Sequence, residues 1–413
     1  MRILLIHQYF LERDDPGGSR FNEMTRYWSE QGHDITVLAG MIHANKSKKR
    51  PEYKGKYIVN KKQDGITVLR CHVSETYNTN FAGRLWGYFS FVISSVIAGL
   101  FKTKGKFDLI LVTSPPLFVG VTAFILSIFK RIPYVFEVRD LWPESAIDTG
   151  LLSSKPIIKF AYWFESFIYN KASLINVLTP AFRDILISEK NVPESKVIFI
   201  PNAADFSLSD LVLKSFDRQA FRLENNINDK FVITYVGAHG VANHLIQLLD
   251  SAELLKDSNV LFQLIGDGMQ KRMLIKETGR RGLNNNVKFI DPVPKSEVFK
   301  YIIASDMGAS VLKRVDAFKT IYSNKTFDYM ACKKPVLLLI DGVSRELVEK
   351  ANCGVYAEPE NPVDIVSKIR IYLSDPELLK KQGENGYQYA KTHFDRKVLT
   401  NKYLKYLQVA ARD

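Results

Sequence analysis

Apolar residues occur in two blocks, in which short apolar runs alternate with longer stretches of helical spacing. This alternation is typical of parallel α/β sheets covered by helices on both faces. In the first block the runs predict strands near residues 2–7, 34–38, 66–70, 109–113, 134–138, 174–178 and 197–200. In the second block they predict a strand that begins at Phe231, and further strands at 260–265, 287–290, 307–311, 336–340 and 354–357.

The length of 413 residues also indicates two domains, or three, because one core seldom exceeds about 250–300 residues. Residues 205–230 are polar and lack a strong period, so they separate the two blocks. The tail from Pro362 contains three amphipathic helical stretches and no strand. We predict the following parts: an N-terminal α/β domain at 1–205, a linker at 206–230, a second α/β domain at 231–392, and a helix at 393–413 that returns to the first domain.

The composition is that of a soluble globular protein, with 46% hydrophobic and 24% charged residues. It excludes a disordered, a collagen-like or a polytopic membrane protein. The unusual feature is a net charge of +13, which favours an anionic partner such as nucleic acid, anionic lipid or a phosphorylated substrate. Three scattered cysteines indicate neither a disulfide framework nor a zinc cluster, so a reducing cytosol is the expected compartment.

A pair of glycines, Gly17 and Gly18, lies between the first predicted strand and a helix. Such a pair lets backbone N–H groups approach a phosphate or a sugar, although it also suits a plain turn. The loop lacks the spacing of the dinucleotide fingerprint, so a nicotinamide cofactor is not expected.

The predicted strand at 134–138 leads into a second polar segment, which holds a cation, two carboxylates and an indole: Arg139, Asp140, Glu144 and Trp142. Ligands of open α/β sheets bind beyond the carboxyl ends of strands, which favours a functional interpretation. The alternative is an ion pair that steadies a turn around a packed Trp142.

The second block contains a candidate anion site. Gly266 follows a predicted strand, and a helix is expected to begin at Ser323 or Asn324. Free backbone donors at that start, together with Lys325, would seat a diphosphate. Asp328 lies one turn further, where a carboxylate would accept hydrogen bonds from both hydroxyls of a ribose. An ordinary capped helix explains the same pattern.

Residues 85–101 form an uncharged, aromatic-rich run that is shorter than the roughly 20 apolar residues needed to span a membrane. The surrounding residues 43–106 contain thirteen Lys or Arg and three acidic residues, so they carry ten of the thirteen net positive charges. This composition suits a segment at an anionic membrane surface. A core helix flanked by solvated lysines is the alternative.

Taken together, these segments resemble the retaining glycosyltransferases of family 4. Their GT-B fold has two facing Rossmann-like domains with parallel sheets and a helical C-terminal tail. The resemblance covers essentially the whole chain and rests on Gly17-Gly18, Gly32-His33, residues 200–205, Gly266-Asp267-Gly268, residues 325–331 and Lys334-Pro335-Val336. Residues 139–145 resemble the corresponding segment of bacterial O-antigen and capsule enzymes, including fucosaminyltransferases.

The resemblance implies that the second domain binds the nucleotide of a sugar donor, with the base in the loop after Ile290. It implies the donor-binding residues Gly17, Gly18, His239, Gly240, Gly266, Ser323, Asn324, Lys325 and Asp328. Arg139 and Asp140 would be the catalytic residues, with Trp142 and Glu144 on the acceptor side. No metal and no further cofactor are expected.

The chain departs from the family at two places. The usual Glu-x7-Glu is replaced by Thr320 and Asp328. The usual cationic pair after the strand that begins at Phe231 is also missing. We expect three groups to bind the diphosphate in place of this cationic pair: His239, the backbone of Gly240, and Lys325.

We therefore predict a retaining transferase that moves a sugar, such as an N-acetylated amino or deoxyamino sugar, from a UDP-linked donor. The expected acceptor is polyprenyl-diphosphate-linked, in bacterial surface polysaccharide synthesis at the anionic cytoplasmic face of the plasma membrane. The alternatives are a non-hydrolysing UDP-sugar epimerase of the same fold, a non-catalytic membrane-surface protein and a nucleic-acid-binding protein. The last is disfavoured because the basic cluster is interleaved with an aliphatic run and no nucleic-acid-binding motif is found.

Overall fold

A computed structural model describes the chain except for residues 14, 16–19, 43–47, 79–80, 149–151 and 413. The described residues divide into two compact units. The first unit consists of the described residues between Met1 and Pro201 together with those from Leu399 onward, and the second of Asn202–Val398. Each unit is an α/β domain with one sheet.

The sheet of the first unit has eight strands in the order β3-β4-β2-β1-β5-β6-β7-β8. They are β1 (Arg2–Ile6), β2 (Asp34–Gly40), β3 (Ile58–Gln63), β4 (Ile66–Cys71), β5 (Leu109–Thr113), β6 (Tyr134–Val138), β7 (Leu174–Val177) and β8 (Val197–Phe199). All pairings except β3 with β4 are parallel. The antiparallel edge strand β3 was not predicted, because its lysine-rich sequence and partly exposed side chains hide the strand period.

The helices of the first unit are α1 (Arg20–Glu30), α2 (Phe81–Phe101), α3 (Val119–Lys130), α4 (Glu144–Asp148), α5 (Lys155–Lys171) and α6 (Pro180–Ser188). From β4 to β8 the chain moves along the sheet in one direction, so right-handed crossovers place α2, α3, α5 and α6 on the same face. Among the described residues, no helix combines the length and the apolar character needed to cross a membrane.

The second unit has six parallel strands in the order β11-β10-β9-β12-β13-β14. They are β9 (Phe231–Val236), β10 (Val260–Ile265), β11 (Val287–Ile290), β12 (Met307–Val311), β13 (Val336–Leu339) and β14 (Gly354–Tyr356). The order reverses between β9 and β12, and in open parallel sheets ligands bind beyond the carboxyl ends of strands at such a reversal.

The helices after α6 are α7 (Phe206–Ser215), α8 (Arg218–Glu224), α9 (Ile246–Leu254), α10 (Lys271–Arg280), α11 (Lys295–Ala304), α12 (Asn324–Ala331), α13 (Val343–Lys350), α14 (Pro362–Ser374), α15 (Pro376–His393) and α16 (Arg396–Ala410). The last three confirm the predicted helical tail. The polar stretch 206–230, expected to be a linker, forms α7 and α8. Asp205 caps α7 by accepting from the Leu208 N–H at 3.3 Å, and Asp217 caps α8 by accepting from the Ala220 N–H at 3.0 Å.

From Leu399 onward, α16 belongs to the first unit, where it packs against α1. The indole N–H of Trp28 donates to the carbonyl oxygen of Thr400 at 3.2 Å, and the Trp28 ring meets the Tyr403 ring edge to face at 6.2 Å. Both rings are fully buried, so the end of the chain contributes to the core of the domain that begins it.

Candidate functional site

The loops after β9 and β10 pack so closely that they require glycine. A Cβ atom on Gly266 would lie 1.9 Å from the carbonyl oxygen of Gly237, and one on Gly237 would lie 2.6 Å from Cε of Lys325. Both glycines have positive φ angles, +143° and +147°, which side-chain-bearing residues rarely adopt. The carboxyl edge of the second sheet therefore presents bare backbone next to a lysine.

His239 lies in the interior below this edge. Its ring is buried between Tyr235 and Phe289, with centroid distances of 6.1 Å to each. Burial and the nearby Lys271 lower the pKa of His239 to about 4, so the imidazole is neutral at physiological pH. His239 cannot supply the missing positive charge, and its backbone carbonyl instead accepts from the Gln270 N–H at 2.9 Å. Gly240 continues the loop and begins the short turn before α9.

Lys325 provides the positive charge at this edge. Its ammonium lies 5.0 Å from the centroid of the Tyr235 ring and forms no ion pair with any described residue. Burial lowers the pKa of Lys325 to about 8, and the carboxylate of Asp328 opposes this effect. A partly buried, unpaired cation at a helix start is suited to binding an anion.

The helix start itself also fits an anion. Ser323 is the N-cap of α12, as expected, but its hydroxyl makes no cap hydrogen bond and donates to Ser310 Oγ at 3.4 Å. The first backbone N–H groups of a helix have no intrahelical acceptor, and here they belong to the exposed Asn324 and to Lys325. Asp328 follows one turn later and is partly buried.

Lys271, which the sequence reasoning missed, connects the loop after β10 to the loop after β11 through hydrogen bonds. Its ammonium donates to the carbonyl oxygen of Gly266 at 2.8 Å and to Oδ1 of Asp291 at 2.6 Å. It thereby holds the start of the loop after β11, where the base is expected to bind. No local pattern marks Lys271, because its partners are brought to it by the parallel pairing of β10 and β11.

In the first unit, Arg20 forms a buried ion pair with Glu137, which lies on β6, the strand that leads into the predicted acceptor segment. The Arg20 guanidinium donates to both carboxylate oxygens of Glu137 at 3.1 and 3.2 Å, and both side chains are buried. Asn176 on β7 donates to the same carboxylate at 2.9 Å. A lone acid in the apolar strand Tyr134–Val138 is the sequence signal that could have identified this network.

Arg139 and Asp140 follow β6 as predicted. The Arg139 guanidinium makes no hydrogen bond or ion pair with any described residue. Burial lowers the pKa of Arg139, the nearby carboxylate of Glu137 opposes this effect, and Arg20 adds to it. His7, directly after β1, is also buried, and burial together with Arg139 and Arg70 lowers its pKa. Asp140 accepts a hydrogen bond from Ser145 Oγ at 2.9 Å, while burial and Glu144 raise its pKa.

The two residues predicted on the acceptor side have partners inside the first unit. The Trp142 ring packs edge to face on Phe118 at 5.8 Å. Glu144 accepts from the ammonium of Lys190 at 2.7 Å, and Lys190 also donates to the buried Glu165 at 2.6 Å. Burial raises the pKa of Glu165 to about 7. The sequence reasoning missed Lys190 and Glu165.

Gly17 and Gly18 lie outside the described residues, so their assignment to the donor remains a prediction. The next helix begins at Arg20, which forms a buried ion pair with Glu137. Thr320 lies in a 3-10 turn at 316–320, where its hydroxyl donates to the carbonyl oxygen of Ala317 at 2.8 Å.

Comparison with known families decides the identity of the chain. Residues 17–203 match the model of the glycosyl transferase 4-like domain, and residues 217–389 match that of glycosyl transferases group 1. The chain belongs to glycosyltransferase family 4. The predictions of the family and of a glycosyltransferase are thereby confirmed.

Curated relatives of this family 4 chain include other glycosyltransferases. The chain is 22% identical to the putative colanic acid biosynthesis glycosyl transferase WcaI of Escherichia coli, over 94% of this chain and 95% of WcaI. It is 23% identical to the alpha-D-kanosaminyltransferase of Streptomyces kanamyceticus, over 65% and 69% of the two chains. It is 22% identical to the probable glycosyltransferase WbjE of Pseudomonas aeruginosa, over 63% and 65%.

Solved structures confirm the GT-B fold of the family 4 chain. Sucrose-phosphate synthase of Thermosynechococcus elongatus superposes with a TM-score of 0.74 at 16% identity, covering 100% of both chains. HepE of Anabaena, solved in complex with UDP-glucose, superposes with a TM-score of 0.72 at 18% identity, covering 99% of this chain and 100% of HepE.

Proposed function

We propose that the protein transfers a sugar from a UDP-linked donor, with retention at the anomeric carbon, to a polyprenyl-diphosphate-linked acceptor in bacterial surface polysaccharide synthesis. The name of WcaI, a putative colanic acid biosynthesis glycosyl transferase, supports a polysaccharide pathway. The structure of HepE in complex with UDP-glucose supports a UDP-linked donor. The name of the kanosaminyltransferase supports an amino or deoxyamino sugar.

The observation that carries the donor site is the unpaired ammonium of Lys325 beside the bare backbone of Gly237. In this proposal Lys325 and the start of α12 bind the diphosphate. Asp328 binds the ribose hydroxyls, and the loop after β11 binds the base. Lys271 positions that loop through Asp291.

The chemical step breaks the bond between the anomeric carbon and the diphosphate oxygen and forms a bond to the acceptor oxygen on the same face. The leaving diphosphate keeps the electron pair, and Lys325 with the α12 N–H groups stabilises its charge without reorganisation. The acceptor proton passes to a donor phosphate oxygen, assisted by the carboxylate of Asp140. This chemistry requires no metal ion.

The acceptor is assigned to the first unit. The unpaired Arg139 guanidinium suits the charge of a phosphorylated acceptor, and Trp142 offers an aromatic surface beside it. The cationic residues 43–106 would hold the protein at the anionic cytoplasmic face of the plasma membrane, where a polyprenyl carrier resides.

The decisive experiment measures UDP binding by calorimetry for the wild-type protein and for Asp328→Ala. Loss of a charged acceptor of hydrogen bonds should weaken binding by about ten- to a hundred-fold, since such bonds contribute roughly 1.5–3 kcal/mol. The matched control is Asp316→Ala, an exposed carboxylate in the turn before α12. Equal UDP affinity in Asp328→Ala would refute the donor site, and turnover of a UDP-sugar without any acceptor would favour the epimerase instead.

A further inference from the structure

Helix α2 buries its three serines together with part of its apolar residues. Ser90, Ser94 and Ser95 are buried against the rest of the first unit. Ser94 Oγ donates to the carbonyl oxygen of His72 at 2.7 Å, and Ser95 Oγ shares a hydrogen bond of 2.9 Å with Thr122 Oγ1. An ordinary surface helix turns such residues toward water and its apolar residues toward the core.

The opposite side of α2 is apolar and exposed. Trp86 is 55% exposed and Phe89 is 42% exposed, and Ile93 lies on the same stripe because the three are spaced by three and four residues. Phe91 on the inner side is fully buried. The sequence left open whether this run packs in the core or at a membrane surface, and the outer stripe is not part of the core.

Helix α5 adds a second exposed stripe that the sequence reasoning did not identify. Phe160 is 56% exposed and Trp163 is 60% exposed. The exposed Ile157 precedes Phe160 by about one turn on the same side. Because α2 and α5 cover the same face of the sheet with α3 between them, the two stripes belong to one side of the unit. We call the set Trp86, Phe89, Ile93, Ile157, Phe160 and Trp163 the aromatic face.

Ring contacts join the two stripes through Phe118, which precedes α3. The Phe118 centroid lies 5.1 Å from that of Phe89 and 5.5 Å from that of Phe164, and Phe164 stacks on Phe160 at 6.2 Å. Phe118 also contacts Trp142 at 5.8 Å. The aromatic face is therefore continuous with a residue predicted to lie beside the acceptor.

The charges on these helices are almost all positive. Helices α2, α3 and α5 together contain one acidic residue, Glu165, which is buried and paired with Lys190. Lys155 and Lys159 are exposed on α5 next to the apolar stripe. Exposed aromatic residues bordered by lysines and free of exposed acids match the interface of an anionic bilayer in chemistry and charge.

We propose that the aromatic face inserts into the interface of an anionic lipid bilayer, with α2 and α5 lying on the membrane and Phe118 and Trp142 connecting the inserted side chains to the acceptor segment. The role of this surface in catalysis rests on the proposed function, because a lipid-linked acceptor would then reach Arg139 without leaving the membrane. Its lipid binding itself follows from the exposed rings and lysines and needs no sugar chemistry.

Vesicle co-sedimentation tests the proposal on the full-length protein. The vesicles contain either phosphatidylcholine alone or equal parts of phosphatidylcholine and phosphatidylglycerol. The double variant Phe160→Ser with Trp163→Ser should bind the anionic vesicles at least about ten-fold more weakly, since two large apolar side chains no longer leave water. Lys155→Ser with Lys159→Ser should weaken binding about 30-fold and only on anionic vesicles.

The matched control is Leu211→Ser with Leu223→Ser, which removes two exposed apolar side chains from the second unit. It should leave vesicle binding unchanged. A second readout uses lipids brominated in their acyl chains, which should quench the fluorescence of the wild-type protein and quench Trp163→Phe less. All three double variants should keep the wild-type far-UV circular dichroism spectrum and urea midpoint, which shows that the unit carrying the substitutions is folded.

Unchanged vesicle binding by the Phe160 and Trp163 double variant would overturn the proposal. So would a change from dimer to monomer in that variant by light scattering, because the face would then be covered by a second copy. If Asp328→Ala keeps its UDP affinity while the vesicle results hold, the donor assignment fails and the membrane surface stands.

Discussion

The most informative prediction concerns the pH dependence of UDP binding through Lys325. Its pKa of about 8 lies well below the ordinary 10.5 because the ammonium is partly buried without an ion pair. A diphosphate bound beside it would restore the ordinary value. The difference corresponds to about 3 kcal/mol at roughly 1.4 kcal/mol for each pKa unit, so the charged lysine should bind UDP roughly a few hundred-fold more tightly than the neutral one.

The direction in which UDP affinity changes with pH follows from the two protonation states of Lys325. Below pH 8 most of the free protein carries the ammonium and binds UDP at full strength. As the pH rises through 8, the free protein loses this charge, and affinity falls toward ten-fold for each further pH unit until the pKa of the complex is reached. Between about pH 7.5 and 9.5 the calorimetric affinity should fall about 20-fold.

Two variants isolate the contribution of Lys325. In Lys325→Met, UDP should bind weakly and independently of pH over this range. In Lys325→Arg, binding should also be independent of pH, because a guanidinium stays charged. The second ionisation of a phosphate, near a pKa of about 6, is complete below the range. If the wild-type protein binds UDP equally tightly at both ends of this pH range, Lys325 does not bind the diphosphate. An unchanged slope in the methionine variant would also refute the assignment and would point instead to Lys334, whose pKa burial also lowers to about 8.

Two further predictions test the acceptor segment and the tight loops. Arg139→Met and Asp140→Asn should each reduce sugar transfer at least about a hundred-fold while UDP affinity by calorimetry stays at the wild-type level; full transfer in both would show that this segment is not catalytic. Gly266→Ala should lower the free energy of unfolding by about 1–3 kcal/mol in a urea titration, because its Cβ would overlap the Gly237 carbonyl. Gly279→Ala on α10, where a Cβ meets nothing within 4 Å, is the control that should be neutral or slightly stabilising.

Most of the sheet architecture could be predicted because buried parallel strands are continuous apolar runs. The predicted bounds 109–113, 134–138, 260–265, 287–290 and 307–311 coincide with β5, β6, β10, β11 and β12. The same rule fails for β3, whose side chains alternate between partial burial and exposure. It also gives no signal for α7 and α8, where the capping residues Asp205 and Asp217 were the available indication.

The candidate site was predictable where its chemistry is local in sequence. Lys325 and Asp328 follow from one helix start, and Arg139 and Asp140 from one strand end. The contacts that position them join distant residues. Arg20 and Glu137 are 117 positions apart, and their pairing depends on the order of strands in the sheet. The neutral state of His239 depends on burial, which no local pattern reveals.

The orientation of α2 was hidden for a related reason. Its composition is compatible with burial on either side, and only the packing shows that Ser94 and Ser95 face inward while Trp86 faces outward. Hydropathy alone averages over the helix and cannot distinguish the two sides. The hydrogen bond between Ser95 and Thr122 depends on contact with α3, 27 positions further along the chain.

The return of the chain end to the first unit determines how this protein can be divided. A fragment that stops at Pro201 would lack the partner of Trp28 and expose a large apolar side chain that Tyr403 otherwise covers. The N-terminal half is therefore a discontinuous folding unit. Work on isolated domains must add the peptide 399–413, either in trans or through a circular permutation that joins it to Met1, whereas Asn202–Val398 is continuous and can be excised as a single segment.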